Sequence, residues 1–306
     1  MKLTKEELQE NAYKLGFSLG FTERAMMLGN VLYEITQNEF LSNSLALKGG
    51  SVLNLCIFNI ARLSNDIDFD LCIDISEDEL PVLREKIRSN IKDIFNCIFK
   101  IEVSKYMGEH YDSFILKYNK LYDENDCIII DINYKKRIHI LDYEFKKIKN
   151  SLMSEMTVLT VNHLEVYGGK IKVLLERFNL KDFFDINNMI IFHSISSIET
   201  DMLRKIVIFY NVLSGRNDLE NFSRLEAIKF CESQLLEFKK LLPSYKDLDI
   251  DKIILNVNFF INTLMVLTEE EKYFIQLFHN KKFKPQLIFN DETIINKLLR
   301  HPLVKI

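Results

Sequence analysis

The sequence predicts an α+β protein whose first half carries a mixed sheet and whose second half is all helical. Three observations lead there. Asp66 to Leu71 alternates acid and apolar residue without a break, the period of a strand, and further β-rich runs follow it up to about residue 155. From His163 onward the spacing of apolar residues turns helical and stays so. Only 4 Pro and 9 Gly occur in 306 residues, which favours long helices over a loop-rich β protein. With 47% hydrophobic and 27% charged residues the chain can bury a core and is not disordered. The expected division is 1–155 for the mixed core and 156–306 for the helical domain.

Thr4 and Glu7 have capping-box spacing, so a helix should start there, with a second from about Thr22 to Gln37. SLALKGG (Ser44–Gly50) reads as a short apolar strand broken by two glycines, and SVLNLCIFNI as a helix of two to three turns. ARLSNDIDFDL contains the alternating strand, and Glu77 to about Ile94 reads as a helix. CIFKIEVSK, FILKYNKLY and CIIIDINYKKRI look like strands, with a last β-prone stretch from Met156 to Val161. HLEVYGGKIKVLLERF, DFFDINNMIIFH and DMLRKIVIFYNVLS open the helical series, and Thr268 with Glu271 repeats the capping-box spacing.

Composition removes several function classes. The net charge of −4 excludes a bulk basic protein, so any nucleic-acid contact must use a local patch. Cys56, Cys72, Cys97, Cys127 and Cys231 form no CxxC pair, and their odd number suits free thiols in a reducing cytosol. The amino-terminal stretch is charged and amphipathic, unlike a signal peptide, and no window approaches 18 uninterrupted apolar residues. A soluble cytoplasmic protein without a membrane partner is expected. His110, His139, His163, His193, His279 and His301 show no zinc-hydrolase spacing, and no GxGxxG, P-loop or nucleophile elbow occurs.

The chemistry concentrates in two places. Gly49, Gly50 and Ser51 sit at a strand-to-helix turn, where absent side chains let a polyphosphate approach and a helix start favours anions. Asp66 and Asp68 follow on the next strand and, two apart, point to one face. Two carboxylates beside a triphosphate suit Mg²⁺, a hard ion shared between protein and phosphate oxygens, and together these features support phosphoryl or nucleotidyl transfer. Asp70 shares that face and reads equally as a solvated residue. Asp131 interrupts a β-branched run where an unpaired carboxylate is costly, making it the candidate third metal carboxylate and base, against a strand-end turn. Between Tyr134 and Asn150 six basic residues face two acidic ones, a segment able to grip an RNA backbone or simply to be a solvated loop. In the second place, Lys170 and Arg177 share a helix face, with Asp182 and Asp185 downstream. Lys170 can neutralise a triphosphate with Arg177 nearby, or all four can form ordinary salt bridges.

ALKGGSVLNLCIFNIARLSNDIDFDL resembles the first motif of the AbiEii/AbiGii nucleotidyltransferase toxin family, with its Arg-x-Ser-x-Asp-x-Asp detail. KIKVLLERFNLKDFFDINNM is similar to that family's second segment, and LIFNDETIINKLLRHPLVKI to its tail, so the likeness runs from about Leu45 to the end. The resemblance implies a DNA-polymerase-β-like nucleotidyltransferase core with an appended helical domain. It implies Mg²⁺, a nucleoside triphosphate substrate, an antitoxin encoded alongside, a role in phage abortive infection, and in some members extension of the tRNA 3′ end. Matched residue by residue, Asp66 and Asp68 become metal ligands with Ser64 beside them, Lys170 the family lysine, Asp182 or Asp185 the later acid, and Asp131 a core-strand acid. Lys181 departs from the usual Arg, which exposes substrate choice more than activity.

The leading expectation is thus a toxin transferring a nucleoside monophosphate to tRNA. The same core acting on a small molecule or a protein side chain, and a non-catalytic nucleotide-binding module, are the alternatives. The retained cluster of like charges argues against the module. Ser64 lies on the face of Asp66, so a phosphate placed there would bring negative charge into the site.

Overall fold

Thr, Ser and Asn caps set the first three helix starts of the first unit. In the computed structural model, which describes residues 3–64, 66–103, 108, 110–122, 125–150, 152–192, 196–216, 219, 222–244 and 247–304, Thr4 accepts from the Glu7 N–H and the Glu7 carboxylate accepts from the Thr4 N–H. The helix α1 (Lys5–Leu15) ends at Gly16 in left-handed geometry. The second helix, α2 (Leu19–Gln37), starts earlier than Thr22 because Ser18 supplies the cap. Asn38 then caps a short α3 (Glu39–Ser44) that has no strong periodic signal. Asn65, Ser104, Lys105, His193, Lys305 and Ile306, which fall within stretches read above, lie outside the described residues.

The apolar stretch before the glycines forms β1 (Leu45–Leu47), and α4 (Gly49–Ser51) follows directly. The regular helix expected beyond Ser51 is instead a π-helix over Val52–Ile57. Asn59 and Ile60 then both take positive φ, 46° and 63°, an uncommon conformation for a β-branched residue. The rest of the unit is β2 (Asp66–Leu71), α5 (Leu80–Phe95), β3 (Lys100–Val103), β4 (Tyr111–Asn119), β5 (Asn125–Asn133), β6 (Glu144–Asn150) and β7 (Met153–Thr160). The strand β6 occupies part of the basic segment that read as a backbone grip or a solvated loop. Its lysines mask the alternation and belong to an edge, where charge discourages further pairing.

The seven strands form one sheet in the order β3-β4-β5-β2-β1-β7-β6. β2 is antiparallel to β1 and parallel to β5, with Asp68 opposite Asp131. Ile67, Phe69 and Leu71 point to the opposite face from the acids and are buried, as are Ile128, Ile130 and Ile132 on β5. α2 packs against β7, and the π-helix against β6.

Compactness divides the chain into two units, the first comprising 1–137, 143–161 and 239–246. The division differs from the expected one after residue 155. β7 stays in the first unit because Leu47 pairs with Thr160 and accepts from the Val161 N–H. Residues 239–246 join it through hydrogen bonds from Leu63 N–H to Leu241 O and from Ser244 N–H to Gly16 O.

The second unit is helical: α6 (His163–Arg177), α7 (Leu180–Phe192), α8 (Ser197–Leu213), α9 (Ser223–Glu226), α10 (Glu232–Lys239), α11 (Ile250–Leu264), α12 (Glu269–His279) and α13 (Glu292–Leu299), with residues 138–142 added. Buried Glu165 holds that added segment, accepting from the Leu141 N–H at 2.6 Å, lying 2.9 Å from His139 Nδ1 and also accepting from the Tyr210 hydroxyl. The capping box at Thr268 forms as its spacing predicts. The five cysteines are unbridged. No single helix among the described residues is long and apolar enough to cross a membrane.

Buried Asp112 is the main ionic anchor of the sheet's far side. Arg84 donates to it at 3.1 and 2.6 Å, Arg88 at 2.9 and 2.7 Å, and the Tyr134 hydroxyl at 2.8 Å. Burial pushes the carboxyl's pKa up, but these hydrogen bonds outweigh burial and hold it below its ordinary 3.8. A lowered folded-state value means the stabilisation is complete above about pH 4 and is lost as pH falls through that lower value. Asp112→Ala, which strands two guanidinium groups, is expected to cost about 3–5 kcal/mol at neutral pH. In urea unfolding, the gap from wild type should narrow as the pH is lowered towards about 3.

Candidate active site

The glycine turn is built around the acids of β2. Gly49 sits at φ +65°, and a Cβ there would lie 3.0 Å from Asp68 Oδ2. A Cβ at Gly50 would lie 3.1 Å from Arg62 Nη2 and 3.6 Å from Ser64 Oγ. Close approach favours glycine at both positions, and the backbone conformation requires it at Gly49 as well. Ser51 is fully buried and its hydroxyl donates to the Asp66 carbonyl at 2.7 Å, so it locks the helix start onto β2. Lys48 occupies the N-cap position of this helix start without a side-chain capping hydrogen bond.

Asn54 holds the strained connector together. Its amide donates to Gly50 O at 2.9 Å, its side-chain oxygen accepts from the Arg62 N–H at 3.1 Å, and its carbonyl accepts from the Ile60 N–H at 2.6 Å. The glycine turn and the approach to Asp66 are thereby tied to one buried side chain. Ser64 completes the approach, donating to Asp66 Oδ1 at 3.3 Å.

On the acidic face, Asp66 and Asp68 lie side by side with Asp131 across the β2–β5 ladder. Burial first, then the charge of Asp66, push the Asp68 carboxyl up to about 7; Lys48 pulls it down, while Asp131 and Asp70 push it up. Tyr111 joins from β4, its hydroxyl pKa raised by burial and by Asp131 and Asp68. Asp70 is fully buried and bound to the Lys48 ammonium at 2.6 Å, so it serves as a buried ion-pair partner and not as a solvated residue. Asp131 Oδ1 is buried with no hydrogen-bond partner. Asp66, Asp68 and Asp131 are the side chains of this face able to hold a cation. Among the described residues no three His, Cys, Asp or Glu side chains converge into a preformed metal cage.

The second constellation assembles within the helical unit. The Lys170 ammonium lies 3.0 Å from Asp182 and 2.9 Å from Asp185, both fully buried. Arg177 donates twice to Asp182, at 2.7 and 3.0 Å. The four residues read together from the sequence form one network in which the two carboxylates match the two cations.

The sequence reading did not single out Lys48, Asn54 or Tyr111, and held Arg62 only as the arginine of the Arg-x-Ser-x-Asp-x-Asp motif. Lys48 had a signal in its place directly before the glycines, and Asn54 in standing one helical turn after Gly50. Tyr111 had none, since only the β4–β5 pairing brings it to Asp131.

The model of the family described as nucleotidyl transferase AbiEii toxin, type IV TA system, matches residues 30–256. The chain belongs to the AbiEii family. It is thus a nucleotidyltransferase toxin of a type IV toxin–antitoxin system, which implies an antitoxin partner and a nucleotide substrate. Its fold is similar to that of MenT4, a nucleotidyltransferase toxin from Mycobacterium tuberculosis, with a TM-score of 0.66 at 16% identity, covering 97% of this chain and 99% of that one. At that identity the likeness is one of fold. Structures of an Escherichia coli CdnC:HORMA-deltaN complex and of CdnC with ATP align at 12% and 13% identity with TM-scores of 0.26 and 0.25. The first covers 97% of both chains, the second 98% of this chain and 99% of that one. No curated protein matches the sequence.

In this AbiEii member the glycine turn should be intolerant of any side chain. Gly49→Ala is expected to leave the protein folded, by circular dichroism and melting temperature, while displacing Asp68. Nucleotide transfer should fall by about tenfold to a hundredfold.

Proposed function

We propose that this toxin is a Mg²⁺-dependent enzyme of the cytoplasm that transfers a nucleoside monophosphate from a nucleoside triphosphate to the 3′-hydroxyl of tRNA. Charging, and with it translation, is then blocked unless the cognate antitoxin intervenes. The observation that carries this reading is the meeting of Asp66, Asp68 and Asp131 on one sheet face against the Gly49 turn. The tRNA acceptor is supported by the resemblance of the motifs around Asp66 and Lys170 to toxins that extend tRNA.

The residues suit a divalent cation. A buried carboxylate oxygen of Asp131 lacks a partner, and the charge of Asp66 adds to burial in pushing the Asp68 carboxyl up. Asp66 and Asp68 would hold Mg²⁺ with Asp131 beside them, the remaining positions being filled by phosphate and water. When bound, the ion supplies positive charge to the triphosphate and acidifies the acceptor hydroxyl.

The chain's own groups do the rest. Gly49 and Gly50 admit the polyphosphate to within contact of the backbone. Asp131 orients the acceptor hydroxyl and takes its proton. The O3′–Pα bond forms as the bond from Pα to the bridging oxygen breaks, and pyrophosphate leaves. In the helical unit, Lys170 is assigned to phosphate binding. Asp182 and Asp185 hold its ammonium in place, and Arg177 supports Asp182.

The decisive experiment incubates the protein with each labelled nucleoside triphosphate, Mg²⁺ and total tRNA, followed by sequencing of tRNA 3′ ends. Label on tRNA is expected, and label on protein or on a small molecule would overturn the acceptor. Asp66→Ala should remain folded and lose both transfer and toxicity. A folded Asp66→Ala protein that still arrests growth would refute the metal site.

A further inference from the structure

The strand β6 presents an aromatic ring and two ammonium groups outward. Phe145 is 71% exposed, and the Lys147 and Lys149 side chains are 61% and 78% exposed. Ile148, out of phase with them, is fully buried, so the strand has an inner and an outer side.

The pairing registers fix which face of the sheet that outer side belongs to. Phe145 pairs with Leu159 and Lys147 with Thr157. Leu47 pairs with Thr160 on one side and with Phe69 on the other. Paired residues share a face and sequence neighbours oppose each other. Phe69, Leu47 and Thr160 therefore lie on one face, and Asp66, Asp68, Leu159, Phe145, Lys147 and Lys149 on the other. The face that carries the acidic cluster continues through β1 and β7 to the edge strand. Three inter-strand spacings separate β6 from β2 by about 14 Å. The registers set Phe145 level with Asp70, two residues along from Asp68, so Phe145 stands about 16 Å and Lys147 about 19 Å from Asp68. At a stacked rise of about 3.4 Å per nucleotide, those spans are about five to six nucleotides.

Edge protection accounts for the lysines alone. It does not account for a phenylalanine turned to solvent in phase with the acidic face. Glu155 pairs with Lys147, and with Lys149 at 3.9 Å, but such exposed pairs contribute little and yield readily to phosphate.

We propose that Phe145, Lys147 and Lys149 seat the unpaired 3′ end of a polynucleotide acceptor on its way to Asp66 and Asp68. A base stacks on Phe145, and backbone phosphates take Lys147 and Lys149, with the Thr157 hydroxyl between the strands. Stacking on one ring with point charges alongside is tolerant of sequence and sensitive to salt. This proposal rests on the reading that the acceptor is RNA.

The test uses the full chain and the variants F145A and K147A/K149A. It measures binding of a 5′-fluorescent single-stranded RNA with a free 3′-hydroxyl by anisotropy, alongside KM for tRNA and for nucleoside triphosphate in the transfer assay. Each variant should bind the RNA about tenfold more weakly and show a matching rise in tRNA KM, with nucleotide KM and melting temperature unchanged. For K147A/K149A the log–log salt slope should shrink by about 1.4, the value for two phosphate contacts on a single strand. Wild-type RNA affinity in both variants would overturn the proposal, as would retained RNA affinity with loss of antitoxin binding, which would make β6 a protein-docking edge. A wild type that binds the RNA through these residues yet labels none would support the strip while refuting the tRNA acceptor.

Discussion

A parallel ladder that sets Asp68 directly opposite Asp131 brings like charges together on one face, and the first unit is organised around that contact. Carboxylates this close repel, so the register has to be held by something stronger than their own preference. The opposite face supplies it. Ile67, Phe69 and Leu71 on β2 interleave with Ile128, Ile130 and Ile132 on β5, all buried. A slip of one residue would turn the acids into that apolar layer and the apolar side chains out of it. The hydrophobic effect thus fixes the spacing of the charges, and Lys48, bound to buried Asp70, lowers the cost of holding them there.

The connector from the glycine turn to β2 shows where local strain is accepted for the sake of position. A π-helix, then Asn59 and Ile60 in left-handed geometry, would not persist in an isolated peptide. Here the hydrogen bonds of buried Asn54 over-determine the path, and Ser51 staples its start to the Asp66 carbonyl. The reward is that Gly49 and Gly50 meet Asp68 and Ser64 at contact distance. The glycines and the acids are parts of one rigid piece even though more than a dozen residues separate them in the chain.

The helical unit solves a different electrostatic problem by neutralisation. Two fully buried carboxylates, Asp182 and Asp185, face Lys170, and Arg177 covers Asp182 with a pair of donors. Buried charges of this kind demand partners, and each carboxylate has one. An ammonium shared between two fixed acids is held to one place. The contrast with the acid-rich face of β2, where Asp131 keeps an unpartnered oxygen, is what sets that face apart as the site with unmet demand for positive charge.

The amino-acid sequence by itself determined the features that local periodicity and short-range chemistry encode. The alternation from Asp66, the capping boxes at Thr4 and Thr268, the glycine turn and the Lys170 helix with its two acids were all legible because each is complete within a few residues. Asp131 was legible because a carboxylate stands out in a β-branched run. What only the tertiary structure decided depends on pairings between distant segments. Strand β6 exists because β7 offers it a partner, Tyr111 reaches Asp131 only through β4, and Lys48 binds Asp70 only once β1 and β2 are antiparallel neighbours. The unit boundary ran past residue 155 for the same reason, since β7 is claimed by a hydrogen-bonded strand more than a hundred residues earlier. Ladder partners, unlike helix faces, leave no periodic trace in the segment they recruit.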